Sequence, residues 1–380
     1  MKKELVSILS DLIALPSPYP PGTSVEICAY AAKRLKKVGY KVETVAKTKG
    51  VDNVVARMKG KGKGPVIAFN AHVDTVGVGE RANWKSDPYK ALVKGGLVYG
   101  LGAGNCKGSM AVQIWLAEEI ARRGGPAKGE LIFTFVADEE NLGPDGMAFL
   151  RKSGKVRPDA LILGAQTENN LIVAERGVMW ARITTKGRAA HAGNPGAGDN
   201  AILRMMRLVG ALSSYYDKAL AKRTSGAMKS TVNIGMFHGG HNTNVVPSAC
   251  TVEIDRRLLP DEKVKDAFTE LKKVIDGVGE PTAMYSVEFL TGTNGFAAPE
   301  DGQAVAAFEQ VVKKQTGRKV KFLNATGVSD GRYYADDGIE IINFGPGSGA
   351  QGHAANESVP VAEMIEAAEI QLDVVRRLLG

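Results

Sequence analysis

The segment Pro65-Val66-Ile67-Ala68-Phe69-Asn70-Ala71-His72-Val73-Asp74 constrains the fold of this chain more than any other. Its apolar half is short and unbroken by polar residues, which predicts a strand buried on both faces, as in a parallel sheet. Parallel strands cannot be joined by tight turns, so helical crossovers are expected around it. Where the run turns polar, side chains that alternate with a period of two put His72 and Asp74 on the same side. A carboxylate there can hold an imidazole in one tautomer while the other ring nitrogen faces a metal.

The remainder of the chain supplies the alternation that such a sheet needs. Helical patterns over residues 3–15, 24–38, 107–123 and 145–152 are interleaved with strand patterns over 41–45, 53–58, 66–71, 131–136 and 160–163. The fold class is therefore α/β, a mainly parallel sheet with helices on both faces. After Arg176-Gly177 the rhythm changes. Residues 179–185, 231–237 and 249–258 read as half-exposed antiparallel strands, with amphipathic helices over 200–216 and 262–278. This is the pattern of an inserted α+β, ferredoxin-like unit. A helix over 303–316, a strand over 339–344 and a helix over 361–379 return to the first pattern. The expected division is a discontinuous α/β domain, 1–177 and 291–380, around an insert, 178–290.

Composition excludes several classes of function. No apolar run is long enough to span a bilayer, and the opening Met1-Lys2-Lys3-Glu4-Leu5 leads into an amphipathic pattern rather than a signal peptide, so no membrane role is expected. Cys28, Cys106 and Cys250 lack the spacing of a disulfide framework, which points to a reducing cytoplasm. The net charge of +8 is scattered and not interleaved with aromatic residues, so nucleic acid is not expected as a partner.

Three polar clusters punctuate the α/β pattern. Tyr99-Gly100-Leu101-Gly102-Ala103-Gly104-Asn105-Cys106-Lys107-Gly108 is a glycine-rich loop that opens a helix, without the spacing of a phosphate or dinucleotide motif. Asp138-Glu139-Glu140 follows the strand over 131–136, and adjacent acids need a cation or hydrogen-bond donors to offset their repulsion. His353 follows the last strand in Gly345-Pro346-Gly347-Ser348-Gly349-Ala350-Gln351-Gly352-His353. Open α/β sheets place their sites at the carboxyl ends of strands.

With these motifs in order, the chain resembles the M20 family of metallopeptidases and amidohydrolases, the group of acetylornithine deacetylase, succinyl-diaminopimelate desuccinylase and aminoacylase. Further landmarks are Trp84-Lys85-Ser86-Asp87-Pro88-Tyr89, Asn244-Val245-Val246-Pro247, Asp255-Arg256-Arg257-Leu258, Ser329-Asp330-Gly331-Arg332 and His353-Ala354-Ala355-Asn356-Glu357. The resemblance implies two zinc ions about 3.5–4 Å apart, bridged by a carboxylate and a water. By motif, His72 would bind one ion, Glu140 and His353 the other. Glu139 would be the general base and Asp74 the residue that orients His72. The insert would be a lid and dimerisation domain of a homodimer. Its His191 would reach the developing oxyanion, and Asn244 and Arg257 would hold a substrate carboxylate.

The chain departs from that family at two ligands. The bridging aspartate is Asn105, and an acidic ligand of the strand after residue 160 is Ala165. A neutral amide is a poor bridge and an alanine is no ligand. One zinc ion held by His72, Glu140 and His353 is therefore expected in preference to two, with cobalt or manganese as alternatives. Gln166, Glu168 or Cys106 could stand in as ligands, or no metal binds. The expected activity is cleavage of the amide of an N-acyl amino acid or small peptide-like substrate. The alternatives are metal-independent chemistry by Glu139 and His191, or a pseudoenzyme that binds a carboxylated small molecule.

Overall fold

The computed structural model describes residues 1–299, 301–325 and 327–380. It divides into two compact units, one of Met1–Val173, Ala297–Leu323 and Ser329–Gly380, the other of Ala174–Phe296 and Asn324–Val328.

The first unit opens with α1 (Lys2–Ile13) and α2 (Val25–Lys37). Both bury residues three and four apart, Leu5, Ile8, Leu9 and Leu12 in the first, Ile27, Cys28, Ala31 and Leu35 in the second. There follow β1 (Lys41–Ala46), β2 (Asp52–Lys59), β3 (Gly62–His72), α3 (Lys107–Arg122), β4 (Lys128–Val136), α4 (Met147–Lys152) and β5 (Ala160–Gly164). The second unit contains β6 (Gly177–Lys186), α5 (Ala201–Leu220), β7 (Thr231–Gly239), β8 (Ala249–Leu258), α6 (Val264–Asp276) and β9 (Tyr285–Thr293). The chain then completes the first unit with α7 (Gln303–Thr316), β10 (Glu340–Phe344) and α8 (Val361–Leu379).

The six strands of the first unit run in the order β1-β2-β4-β3-β5-β10. β3 pairs in parallel with both β4 and β5, and β10 in parallel with β5. Only β2 opposes the others, since it is antiparallel to β1 and β4. The unbroken apolar runs sit in the middle, as burial on both faces demands. On one face Phe69 stacks on Phe133 at 5.3 Å, and Tyr40 meets Phe133 edge-on at 5.8 Å. On the other, Ala68, Ile132 and Leu161 are buried as well.

In the second unit the sheet order is β7-β8-β6-β9, antiparallel throughout. With α5 and α6 this is a split β-α-β-β-α-β, ferredoxin-like plan. Its fourth strand, β9, was not visible in the periodicity, which suggested a return to the α/β pattern near residue 289. A register shift between Phe289 and Thr291 breaks the alternation there. The helix α5 is capped by Asn200, whose side chain accepts from the Ile202 and Leu203 amides. Among the described residues no helix is long and apolar enough to cross a membrane.

Because Phe133 joins the two inner strands to Tyr40, Phe133→Ala is expected to destabilise the protein by about 3–5 kcal/mol. Chemical denaturation followed by tryptophan fluorescence measures it, and a loss below about 1 kcal/mol contradicts this account of the core.

Candidate active site

The carboxyl ends of β4, β3, β5 and β10 are neighbours in one sheet, so the segments that follow them converge. These segments carry Glu139 and Glu140, His72 and Asp74, Ala165, and His353. The convergence is a property of the parallel pairing, which puts His72 opposite Val136.

His72, Glu139 and Glu140 each offer a ligand atom within 4.8 Å of the others. His353 joins through Glu140, its Nε2 lying 2.9 Å from the Glu140 carboxylate. Asn105 sits among them. Its Oδ1 is 3.2 Å from His72 Nε2, while its Nδ2 donates to Glu140 Oε1 at 2.7 Å and lies 3.3 Å from His353 Nε2. The amide thus ties both histidines and Glu140 together.

The His72 ring is oriented by Asp74, mainly through the backbone. Nδ1–H donates to the Asp74 carbonyl at 2.9 Å, and the Asp74 carboxylate is 3.6 Å away. That carboxylate instead accepts from the Glu140 amide at 3.1 Å, which fixes the acidic segment. With Nδ1 used as a donor, Nε2 carries either a proton shared with Asn105 or a lone pair for a cation. Burial disfavours the His72 cation, yet the Asp74 and Glu139 carboxylates beside it hold its pKa well above the ordinary range. Burial raises the Glu139 pKa, with Glu140 and Asp74 adding to the rise and His72 and Arg332 opposing it.

The glycine-rich loop is a cradle, and its occupant is a side chain of the protein. Glu357 accepts the backbone amides of Gly102, Gly104 and Asn105 at 2.9, 3.0 and 2.5 Å. A Cβ on Gly104 would come within 2.5 Å of Gln166 Nε2 and 3.0 Å of Glu357 Oε1, so a larger residue there would push on both side chains. Asn105 is delivered to the cluster by this clamp. Glu357 lay in a motif with no role assigned to it, because a carboxylate that binds a loop 252 residues away leaves no local signature.

Of the stand-in ligands expected from the sequence, Cys106 and Glu168 lie outside the group of ligand atoms. Cys106 Sγ points to the Gly164 carbonyl at 3.3 Å, and burial pushes its thiol up to about 11, so it is a neutral thiol. Gln166 Nε2 is buried beside Gly104.

His191, Asn244 and Arg257 all belong to the second unit. His191 and Asn244 lie on two loops joined by a bridge from His191 to Val245 and by the Ala192 amide donating to the Asn244 carbonyl. The His191 Nδ1 accepts from the Gly193 amide at 3.0 Å. Arg257 makes a two-pronged pair with Asp255 at 2.7 and 3.0 Å, which occupies two nitrogens of its fork.

The donor set, two imidazoles with carboxylates at the end of a parallel sheet, suits a divalent cation of the zinc type. The profile of peptidase family M20/M25/M40 matches residues 68–377. A succinyl-diaminopimelate desuccinylase of Polynucleobacter necessarius is 27% identical over 365 residues, which cover 92% of this chain and 93% of that protein. An N-formyl-4-amino-5-aminomethyl-2-methylpyrimidine deformylase of Halalkalibacterium halodurans is 26% identical over 395 residues, 96% of this chain and 92% of its own. In three dimensions an M20 family metallo-carboxypeptidase of Sulfolobus solfataricus has the same fold, with a TM-score of 0.80 over 99% of both chains at 18% identity. Fold, strand-end cluster and profile agree: the chain belongs to peptidase family M20/M25/M40 and is a hydrolytic enzyme.

Proposed function

We propose that this hydrolase cleaves the amide bond of an N-acyl amino acid or a small peptide-like substrate at a site that holds one divalent cation, zinc in the first instance, rather than two. The observation that carries the reading is the Asn105 amide at the centre of His72, Glu140 and His353. Two doubly charged ions in contact need several anionic ligands. With Asn105 neutral and Ala165 without a donor, Glu139 and Glu140 are the carboxylates of the cluster among the described residues. One of them has to stay free as a base.

His72, Glu140 and His353 would hold the cation, with the Asn105 oxygen as a further neutral donor; bound there, it would supply Lewis acidity toward the amide carbonyl and the attacking water. Glu139 takes the proton of that water and returns it to the leaving nitrogen, as a base that is buried and flanked by His72 and Arg332 can do. His191, Asn244 and Arg257 are proposed for the oxyanion and the substrate carboxylate. The acyl specificity of the relatives, succinyl in one and formyl in the other, supports a small acyl group. Three free, buried cysteines suit a reducing, cytoplasmic setting.

The proposed quaternary state is a homodimer through the second unit. β7 is an edge strand with Ile234, Met236 and Phe237 at 38, 47 and 44% exposure. The helix α5, which packs beside it, exposes Leu203 and Met206. An unprotected apolar edge is the usual seat of a two-fold, self-complementary contact.

Three outcomes are expected. On a panel of N-acetyl-, N-formyl- and N-succinyl-amino acids, Glu139→Gln lowers kcat at least about 100-fold without loss of stability; turnover by this variant would remove Glu139 as the base. Asn105→Asp combined with Ala165→Glu raises bound zinc from about one to about two per chain, measured by elemental analysis after dialysis against zinc. An unchanged ratio means that these positions do not face the second ion. Met206→Asp with Phe237→Asp shifts the protein from dimer to monomer in light scattering, and a dimer that survives places the contact elsewhere.

A further inference from the structure

Behind Glu139 lies a buried guanidinium that the ligand cluster does not use. Arg332 stands in the short 3-10 turn Asp330–Tyr334 and is only 4% exposed. Its NH1 donates to Glu139 Oε1 at 3.4 Å. Its NH2 donates to the Tyr333 hydroxyl at 3.0 Å and lies 3.9 Å from Asp330 Oδ1. The guanidinium carbon also sits 4.4 Å over the centre of the Tyr333 ring.

Each of these partners is itself fixed. Tyr333 passes its own hydrogen to the Gly143 carbonyl at 2.8 Å, in the loop that follows the acidic triplet. Asp330 accepts from Asn70 Nδ2 at 3.0 Å, and Asn70 Oδ1 accepts from Thr134 at 2.9 Å. Asn70 is on β3, two residues before His72, and Thr134 is on β4, five before Glu139. The chain of contacts therefore starts on the two strands that present the site and returns to the carboxylate between them.

A guanidinium so deeply buried needs anionic partners, and two carboxylates flank it. Asp330 is anchored by Asn70, so it sets where the guanidinium stands. Glu139 is the other partner. One of its oxygens faces Arg332, and the other faces His72 Nε2 at 3.9 Å. Without the arginine, Glu139 would stand beside Glu140 and Asp74 with no charge behind it, and repulsion would turn it away from the cluster.

We propose that Arg332 is the positioning residue for Glu139, holding one carboxylate oxygen so that the other faces the reacting water. Asp330 and Asn70 transmit its place from the sheet. The inference rests on the reading of Glu139 as the base, and it adds a partner that the reaction itself does not touch.

Arg332→Met and Arg332→Lys test it, with kinetics on whichever N-acetyl, N-formyl or N-succinyl amino acid the parent cleaves fastest and crystal structures of parent and variants. The methionine variant is expected to lose about 100-fold in kcat with KM within about twofold, and lysine to recover about tenfold of that loss. In the crystals Glu139 leaves its place in the methionine variant and keeps it in the lysine variant. A raised KM with parental kcat overturns the proposal, since Arg332 would then bind substrate. Glu139 unmoved in the methionine variant overturns it too, and this readout needs no activity. If the methionine variant does not fold, lysine decides: kcat about tenfold down at unchanged KM supports the proposal, and parental kcat overturns it. The reading of Glu139 as the base fails separately, through an active Glu139→Gln.

Discussion

The amide of Asn105 is the interaction around which the active-site cluster is organised. It accepts from or faces His72 with its oxygen and donates to Glu140 with its nitrogen, beside His353. A carboxylate at this position could bind two cations at once; an amide brings no charge, and its nitrogen is a donor that no cation can use. The consequence is electrostatic before it is geometric. The cluster keeps His72, His353, Glu139 and Glu140, and the amide adds no negative charge to them.

That amide is held in place from two directions. The Glu357 carboxylate collects three backbone amides of the glycine-rich loop, which delivers Asn105 to the cluster. The parallel strands β4, β3, β5 and β10 deliver everything else, because their carboxyl ends lie side by side. Burial then does chemical work on the groups so gathered. It raises the Glu139 pKa, while the opposing charges of His72 and Arg332 work against that rise. The remaining acids of the site are fixed by backbone donors, as Asp74 is by the Glu140 amide.

Much of this was legible in the order of residues. The unbroken apolar run ending in His72 read as a strand buried on both faces, and β3 is an inner strand; the run before Asp138-Glu139-Glu140 read as a strand, and it is β4. The inserted unit announced itself in the change from unbroken to alternating runs. What was not legible depends on distance along the chain or on local irregularity. β9 is hidden by the register shift at Phe289. The Asp74 carboxylate looked suited to hold His72, but the backbone carbonyl is the nearer partner. Arg332 reaches Glu139 across 193 residues and Glu357 reaches Asn105 across 252, so only folding brings their meaning out.

The number of cations that the cluster holds is the most direct test of this account. Purified parent protein, stripped with a chelator and titrated with zinc in a calorimeter, is predicted to bind one equivalent per chain tightly. Two tight equivalents would contradict it, since Asn105 would then be serving as the bridge that its chemistry argues against.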